Sequence, residues 1–235
     1  MFFNDHPEFL DTSHTASSKG RLNLRHVAII EQHRDILDGA RVLDIASHDG
    51  RWSFAALQAG AAHVTGIEGR AHLVAQANQT LARKGVDRSR FNFVHGDAHD
   101  TLTSGVGKFD VVMCLGFLYH TLRYPELFAG IRGTGARHLL IDTRVLPNTP
   151  RPVVKLAMNP VEKDSMAVED RFSHDGKALV GIPSVSAVVY LLNNYGFELV
   201  SQPDWAKIRR EHPKISRAEE YERGERVTML AAAQD

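Results

Sequence analysis

The sequence contains a single cysteine, Cys114, and no long run of apolar residues. One cysteine excludes an intrachain disulfide, and it also excludes a zinc site built from several thiolates. No segment approaches the roughly 20 apolar residues that a membrane-spanning helix needs. The N-terminus lacks the basic segment and apolar core of a secretory signal. We therefore expect a cytoplasmic protein with no membrane-inserted part.

An excess of charge of either sign is also absent. Lysine and arginine together number 28, aspartate and glutamate together number 28, and the isoelectric point is about 7.3. This balance disfavours a protein that binds nucleic acid or anionic lipid through a broad cationic face, although it is compatible with a local basic patch. We expect a small-molecule partner rather than a nucleic acid. A homodimer is compatible with the sequence, which shows no recognisable interface.

With 235 residues, of which 43% are hydrophobic, the chain has the size and composition of one ordinary domain. Short apolar runs alternate with helical patterns along it. Strands are predicted at 40–46, 63–67, 91–94, 109–115 and 137–142, and helices at 24–37, 52–60, 71–84 and 125–131. Such alternation is typical of right-handed crossovers and a parallel sheet with helices on both faces. The predicted fold is α/β, a Rossmann-like three-layer αβα sandwich.

The remaining segments either lack this rhythm or complete the sheet. Residues 1–20 have the polar composition of a loop, and residues 144–182 contain four prolines, so we expect irregular covers over the site. A helix after Ser184, a sixth strand at 197–200 and an antiparallel last strand at 225–233 complete a seven-stranded, mostly parallel sheet. We expect one domain, with an N-terminal cover (1–39), a cofactor-binding core (40–143), a substrate-side cover (144–182) and the C-terminal part of the sheet (183–235).

Four polar or glycine-containing loops follow the first four predicted strands, at 44–50, 68–70, 95–98 and 114–120. In an open α/β sheet, ligands bind beyond the carboxyl ends of the strands. Glu68 ends the second strand, where an acid accepts the ribose hydroxyls of NAD and of other adenosine cofactors. The sequence therefore predicts an adenosine-containing cofactor at this edge of the sheet.

The first of these loops distinguishes between adenosine cofactors. A dinucleotide site needs the glycines of G-x-G-x-x-G so that backbone amides can approach a pyrophosphate. Here the loop has Ala46, His48 and a lone Gly50, and Asp44 would repel a phosphate. S-adenosylmethionine, which has a cationic tail and no phosphate, fits better. A nicotinamide-dependent oxidoreductase stays open as a more distant alternative.

The stretch VLDIASHDG (42–50) and the three loops that follow it resemble the cofactor site of class I S-adenosylmethionine-dependent methyltransferases, over residues 40–143 and 183–233. The resemblance implies that Asp44 orients the cofactor's ammonium group through water, that Glu68 holds the ribose and that Asp97 accepts the adenine amino group. It implies further cofactor contacts by Ala46, Ser47, His48, Gly50, Gly69, Ala98, Leu115 and Gly116. His48 stands where many members carry glycine, although a subset shares the D-x-A-x-x-x-G pattern.

Two further stretches, LGFLYHTLRYPELF (115–128) and IPSVSAVVYLLNNYGF (182–197), resemble the catalytic domain of tRNA wobble-uridine carboxymethyltransferases and of related methyltransferases. The tRNA enzymes carry a substantial N-terminal region with basic residues for their substrate and carboxylated cofactor. Residues 1–43 alone precede Asp44 here, so neither the tRNA substrate nor the carboxylated cofactor is carried over to this chain.

Candidate catalytic residues follow the fourth and fifth strands. Methyl transfer to a hydroxyl requires alignment, exclusion of water and removal of a proton. His120 is a candidate base, because a neutral imidazole accepts protons near neutral pH, and Tyr119 could line the transfer channel. Asp142 could bind a substrate hydroxyl or act with a metal. Each has a structural alternative: His120 bonded to backbone, Tyr119 packed in the interior, and Asp142 capping the next turn.

Three features bear on the acceptor. Arg144 could hold an acidic or polyhydroxylated acceptor and His174 could contact it, with a surface ion pair and a solvated loop histidine as the alternatives. Metal-dependent O-methyltransferases of the catechol type carry acids after strands four and five, whereas here Asp142 stands alone, so Mg²⁺ is disfavoured. The basic stretch 204–217 is balanced by the acids that follow, which favours a solvated helix over an RNA-binding one.

Together these observations predict an S-adenosylmethionine-dependent methyltransferase that O-methylates a small polar acceptor such as a sugar. The acceptor is expected between residues 1–25 and the cover at 144–182. Two alternatives stay open: a tRNA-modifying methyltransferase, and an S-adenosylmethionine-binding protein without catalysis.

Overall fold

The structure, a computed structural model, describes residues 1–10, 19–161, 169–213, 215 and 218–234. Within these residues seven strands form the main sheet, in the order β3-β2-β1-β4-β5-β9-β8. They are β1 (Arg41–Ile45), β2 (His63–Glu68), β3 (Phe91–His95), β4 (Val111–Leu115), β5 (His138–Arg144), β8 (Phe197–Ser201) and β9 (Arg226–Ala233). The first five run parallel, and β9 lies antiparallel between β5 and β8. The predicted sheet is confirmed.

Helices cover both faces of this sheet. They are α1 (Phe2–Asp5), α2 (Lys19–Ile29), α3 (Arg34–Leu37), α4 (Arg51–Gln58), α5 (Ala71–Arg83), α6 (Ala98–Thr103), α7 (Tyr124–Gly133), α8 (Val185–Asn194), α9 (Trp205–Glu211) and α10 (Glu219–Glu222). Because successive side chains of a strand point to opposite faces, Val42 of β1 packs in the layer of α4 and α5, whereas Leu43 packs in the layer of α7 and α8. The predicted three-layer sandwich is therefore confirmed. None of the described helices is long and apolar enough to cross a membrane.

The N-terminal segment is more ordered than its polar composition predicts. Residues 1–10 form α1 and a 3₁₀ turn rather than a loop, while residues 11–18 lie outside the described part of the chain. Phe3 and Phe9 are buried against Trp52 and Phe54, and the Phe3 amide donates to Asn23 Oδ1 at 2.8 Å. Two buried aromatic rings thus hold the segment on the core. The helix predicted at 24–37 is also divided, into α2, a 3₁₀ turn and α3.

The sequence predicts an irregular substrate-side cover, but part of this cover is ordered. Two strands, β6 (Val154–Pro160) and β7 (Lys177–Pro183), pair antiparallel in a separate sheet. Residues 162–168, between them, lie outside the described residues. Ser184 joins this pair to α8, because its Oγ accepts from the Ala187 amide and donates to the Arg151 carbonyl. The predicted helix start after Pro183 is confirmed, with Ser184 as its N-cap.

The single cysteine lies in the middle of the molecule. Cys114 belongs to β4, the central strand, and 1% of its surface is exposed. Burial, with a smaller contribution from the charge of Asp44, raises the pKa of the Cys114 thiol to about 12. The side chain is a small core residue and is not a nucleophile at neutral pH.

Candidate functional site

The loop after β1 turns sharply. Ala46 and His48 have φ angles of 56° and 54°, in the left-handed region that side chains rarely adopt, and Gly50 follows with φ 79°. The Ser47 amide donates to the Ile67 carbonyl, and the His48 amide donates to Glu68 Oε2 at 2.9 Å. His48 thus adopts a left-handed conformation, which glycine adopts most readily, and the residue type does not prevent the turn.

The carboxyl group of Asp44 lies beneath this loop, where 1% of the residue is exposed. It accepts a hydrogen bond from Ser53 Oγ at 2.7 Å. Burial, and then the negative charges of Glu68 and Asp49, raise the pKa of Asp44 to about 7. The group is therefore partly protonated at neutral pH, and a cation bound nearby would ionise it.

A first cavity, of about 70 Å³, lies at the ends of β2 and β3. The predicted residues Ala46, Glu68, Gly69, Asp97 and Ala98 line it, together with hydrophobic and polar neighbours that include Ile67, Phe117, His120 and Asp170. The structure therefore brings these five predicted cofactor contacts together at one cavity. Their roles in binding remain predictions.

One carboxylate oxygen of Asp97 accepts hydrogen bonds from the protein, and the other is available to a ligand. Oδ1 accepts from the His99 and Asp100 amides at the start of α6 and from Arg123 Nη1 at 3.0 Å. Burial alone would raise the pKa of Asp97. Hydrogen bonds from His99 and from the Asp100 amide nevertheless hold this pKa well below its usual range. Within the described residues every hydrogen bond to this carboxylate ends at Oδ1. An ionised Oδ2 at the cavity wall is suited to an amino donor such as that of adenine.

Glu68 also lines this cavity, but its carboxylate is already engaged. Oε2 accepts from the His48 amide, and Oε1 accepts from the amide and Nε of Arg70, at 3.1 and 2.8 Å. Only 1% of the Glu68 side chain is exposed. Ribose hydroxyls would have to share this carboxylate with the Arg70 guanidinium or displace it.

A second cavity, of about 120 Å³, adjoins the first, because Ala46, Arg70, Phe117 and His120 line both. It is bounded by the predicted residues His48, Leu115, Gly116 and Tyr119 and by residues that the sequence analysis did not select, namely Arg21, Arg25, Arg51, Trp52 and Arg226. The five arginines, which include Arg70, come from α2, the start of α4, the loop after β2 and the start of β9. Only the fold brings them together, so no local sequence signal could have identified them, apart from the proximity of Arg70 to Glu68.

His120 lies where the two cavities meet, in a 3₁₀ turn that follows β4. Burial, and then the positive charges of Arg226, Arg70 and Arg144, lower the pKa of His120 to about 4, so its imidazole is neutral at pH 7. Its Nδ1 is buried and has no hydrogen-bond partner among the described residues. The ring lies 4.1 Å from that of Tyr119, centroid to centroid. This position is compatible with the predicted role of His120 as a base.

Asp142 has a different role from those predicted. It is fully buried and lines neither cavity. Its Oδ1 accepts from Arg25 Nη2 at 2.8 Å and from Arg226 Nε at 2.6 Å. Its Oδ2 accepts from the hydroxyls of Tyr221 and Thr228, at 2.8 and 2.7 Å. Its oxygens are thus occupied.

These contacts also decide how Asp142 titrates. Although burial opposes it, Arg226 and then Arg25 hold the pKa of Asp142 well below its usual range. A carboxylate that is ionised, buried and fully hydrogen-bonded does not take a proton from a substrate, and the two guanidinium groups would repel a metal ion. Neither a catalytic role for Asp142 nor its alternative as a turn cap agrees with the structure. Asp142 instead positions two arginines of the second cavity.

The two predicted acceptor-binding residues lie outside both cavities. Arg144 is exposed, and its guanidinium carbon lies 5.9 Å from the centre of the Tyr119 ring. His174 precedes β7, with 86% of its side chain exposed and its Nδ1 3.3 Å from Asp175. The structure therefore places His174 on the surface, which agrees with its alternative as a solvated loop histidine. Among the described residues, no group of three or more histidine, cysteine or acidic side chains could hold a metal ion.

Comparisons with known proteins give the same picture of fold and domain. Residues 42–134 match a protein family described as "Methyltransferase domain". The N-terminal domain of EvdMO1 with SAH bound is 16% identical, with 94% of this chain and 84% of that chain covered and a TM-score of 0.61. The same domain in the presence of SAH and D-fucose is 16% identical, with 92% and 82% covered and a TM-score of 0.59. No curated protein matches the sequence significantly.

A third solved structure is 1,6-didemethyltoxoflavin-N1-methyltransferase from Burkholderia thailandensis, with bound 1,6-didemethyltoxoflavin and S-adenosylhomocysteine. It is 16% identical, with 97% of this chain and 87% of that chain covered and a TM-score of 0.60. At such identities the likeness concerns the fold. The closer resemblance to tRNA wobble-uridine enzymes stays a prediction. The matched segment, 42–134, carries the loops after β1 to β4, and the chain shares its fold with solved structures that include a methyltransferase.

Proposed function

We propose that this chain binds S-adenosylmethionine and methylates a hydroxyl oxygen of a small polar acceptor such as a sugar. One observation carries the proposal: a cavity lined by the carboxylates Glu68 and Asp97 and an arginine-lined cavity adjoin at His120. A cofactor that extends from the first cavity would bring its reactive end towards an acceptor in the second. The relative EvdMO1, crystallised in the presence of SAH and D-fucose, supports a sugar as the acceptor.

The described residues fit the parts of this cofactor. Asp97 Oδ2 would accept a hydrogen bond from the adenine amino group. Glu68 would bind the ribose hydroxyls if Arg70 shares the Glu68 carboxylate with them or moves away from it. Asp44, which accepts from Ser53 beneath the loop after β1 and lines neither cavity, would orient the ammonium group through water. Bound S-adenosylmethionine would supply an electrophilic methyl group on a sulfonium.

His120 would supply the base. An acceptor hydroxyl becomes a better nucleophile as its proton is removed, and a neutral imidazole is the form that takes it. The low pKa of His120 keeps it neutral throughout the physiological range. Tyr119 and Phe117 would shield this junction from water, because both rings line the second cavity. Arg226, 5.6 Å from the centre of the Tyr119 ring, holds that ring in place.

The proposal is tested with the purified full chain and methyl-labelled S-adenosylmethionine. Extract is separated into tRNA, carbohydrate with small polar metabolites, and protein, and each fraction is incubated with the enzyme. We expect label in the carbohydrate and metabolite fraction. Label in tRNA would support the tRNA-modifying alternative instead, and no label despite measured SAH binding would support a binding protein without catalysis.

A pair of histidine variants tests the assignment of the base. His120→Ala is expected to lower kcat by about 100-fold or more, as loss of a general base does, and to leave SAH affinity within a few-fold. The matched control is His174→Ala, which removes an exposed imidazole outside both cavities. Equal turnover in the two variants would contradict a role for His120 in proton transfer.

A further inference from the structure

The second cavity is lined by positively charged side chains and by no negatively charged ones among the described residues. Five arginines and two histidines line it, and no aspartate or glutamate does so among the described residues. The carboxylates that pair with these arginines, Asp49, Glu68, Asp142 and Glu220, are not part of its lining. A ligand in this cavity therefore meets guanidinium groups rather than ion pairs.

Three of the arginines are held in fixed positions. Arg21 and Arg25 are one turn apart on α2, so both project from the same face of that helix. Arg21 Nε donates to Glu220 Oε1 at 2.6 Å, while Arg25 and Arg226 share Asp142 Oδ1. The buried Asp142 and the partly exposed Glu220 thus orient all three guanidinium groups before any ligand binds. We call Arg21, Arg25 and Arg226 the arginine cluster.

The arginine cluster has more positive than negative charge. Its three guanidinium groups face two carboxylates, Asp142 and Glu220, which leaves a surplus of one positive charge. Arg25 Nε is buried without a hydrogen-bond partner among the described residues, and an unpaired buried donor destabilises the site. The cofactor adds to the imbalance, because S-adenosylmethionine carries a sulfonium, an ammonium and only one carboxylate. A loaded site therefore attracts an anion rather than a neutral molecule.

We infer that the arginine cluster binds a carboxylate or phosphate group carried by the methyl acceptor, an inference that rests on the proposed function. Oriented guanidinium groups form paired hydrogen bonds to the oxygens of such groups, which is why arginine predominates in their recognition. The cavity, at about 120 Å³, suits a small anionic group rather than a nucleic acid strand. The acceptor is then an acidic small molecule, for example a sugar acid or a sugar phosphate.

The test is calorimetric titration of the full chain, saturated with SAH, at constant ionic strength. The probes are inorganic phosphate and malonate, with chloride as the background anion, so that phosphate and carboxylate preferences are measured separately. We expect one of the two to bind, and Arg21→Gln to weaken that binding by about tenfold. Arg21 is chosen because it lies at the partly exposed edge of the cluster, with 13% of its side chain exposed.

Two further variants make the test specific. Glu220→Gln removes a counter-charge and is expected to tighten anion binding by about threefold, an effect that misfolding cannot imitate. Arg137→Gln is the matched control, because it removes one arginine whose side chain is 74% exposed and pairs with Asp110, at the amino end of β5. It is expected to leave anion binding unchanged.

Several outcomes would overturn the inference. One is that neither anion binds, and another is that Arg21→Gln and Arg137→Gln weaken anion binding equally. A third is that Arg21→Gln abolishes the binding of SAH rather than of the anion, which would assign the cluster to the cofactor's own carboxylate. Displacement of phosphate by tRNA would assign it to a nucleic acid. If the wild-type chain does not bind SAH, the proposed function fails, and titration of the unloaded chain still shows whether the cluster binds anions.

Discussion

At the scale of single residues, we expect Asp44 to link cofactor binding to pH. Its pKa of about 7 is high because the carboxyl group is buried near two other acids. A bound ammonium group would lower this pKa, so binding would release a proton, and affinity would fall as pH falls below 7. We expect the Kd for SAH to be about tenfold higher at pH 6 than at pH 8, measured by calorimetry.

The control for this prediction is Asp44→Asn, which cannot ionise. It should bind SAH more weakly, and its remaining affinity should be nearly independent of pH over the same range. Titrations of the wild-type chain in buffers of different ionisation enthalpy would count the released protons. A wild-type Kd that is constant from pH 6 to 8 would show that Asp44 does not respond to the cofactor.

The pKa of His120 is lowered, whereas that of Asp44 is raised. Its lowered pKa of about 4 means that the imidazole becomes protonated, and inactive as a base, only in acid well below neutrality. At saturating cofactor and acceptor, we expect kcat to vary by less than about twofold between pH 5.5 and 8. With an ordinary histidine pKa near 6.5, kcat would fall about tenfold over that interval. A fall of that size, measured in a pH profile, would contradict the lowered pKa.

At the scale of elements, Arg123 connects the lining of the first cavity to the cover at 144–182. Its guanidinium contacts Asp97 and Asp100 of the α6 N-terminus, lies 4.0 Å from Asp170 and packs 5.4 Å from the Phe172 ring centre. Arg123→Met should therefore weaken SAH binding by about three- to tenfold. It should also increase hydrogen exchange at residues 169–176, because the cover loses its anchor.

The neighbouring Arg171 gives a matched control. Its side chain is 60% exposed and lies within 3.9 Å of Asp100 and 3.5 Å of Glu126, but its described ion pairs do not include Asp97. Because exposed ion pairs contribute little, Arg171→Met should change SAH binding by less than about twofold. Similar effects of the two substitutions would indicate loss of general charge rather than of a specific connection.

The elements also show what the sequence could predict. Strands such as β1 and β4 are continuous apolar runs because they are covered on both faces, and the loops after them carry their polar residues at fixed places. The residues that line the first cavity were predictable for that reason, whereas their roles in binding stay predictions. The arginine cluster was not, because its members come from α2 and β9, which only the fold brings together. The same holds for Asp142, whose partners lie far away in sequence, and for α1, whose two buried phenylalanines stand in a polar segment.

At the scale of the whole molecule, the N-terminal segment belongs to the core. Phe3 is fully buried against the aromatic rings of α4, including Trp52 at 5.5 Å between centroids. Phe3→Ala should lower the free energy of unfolding by about 3–5 kcal/mol, as large cavities in cores do, within a single cooperative transition. Chemical denaturation measures both quantities. Tyr190→Ala, at a 66% exposed position on α8, should change stability by less than about 0.5 kcal/mol.

Because Cys114 is buried, the reactivity of its thiol can be used to measure unfolding of the chain. With 1% of its surface exposed and its pKa raised to about 12, the thiol is both shielded and protonated in the native state. A thiol-reactive dye should therefore label the protein only when the central strand opens, at one site per molecule and without any engineered residue. Because a ligand that binds only the folded chain reduces this opening, slowed labelling in a crude lysate could identify the natural acceptor from a metabolite library before any turnover assay exists.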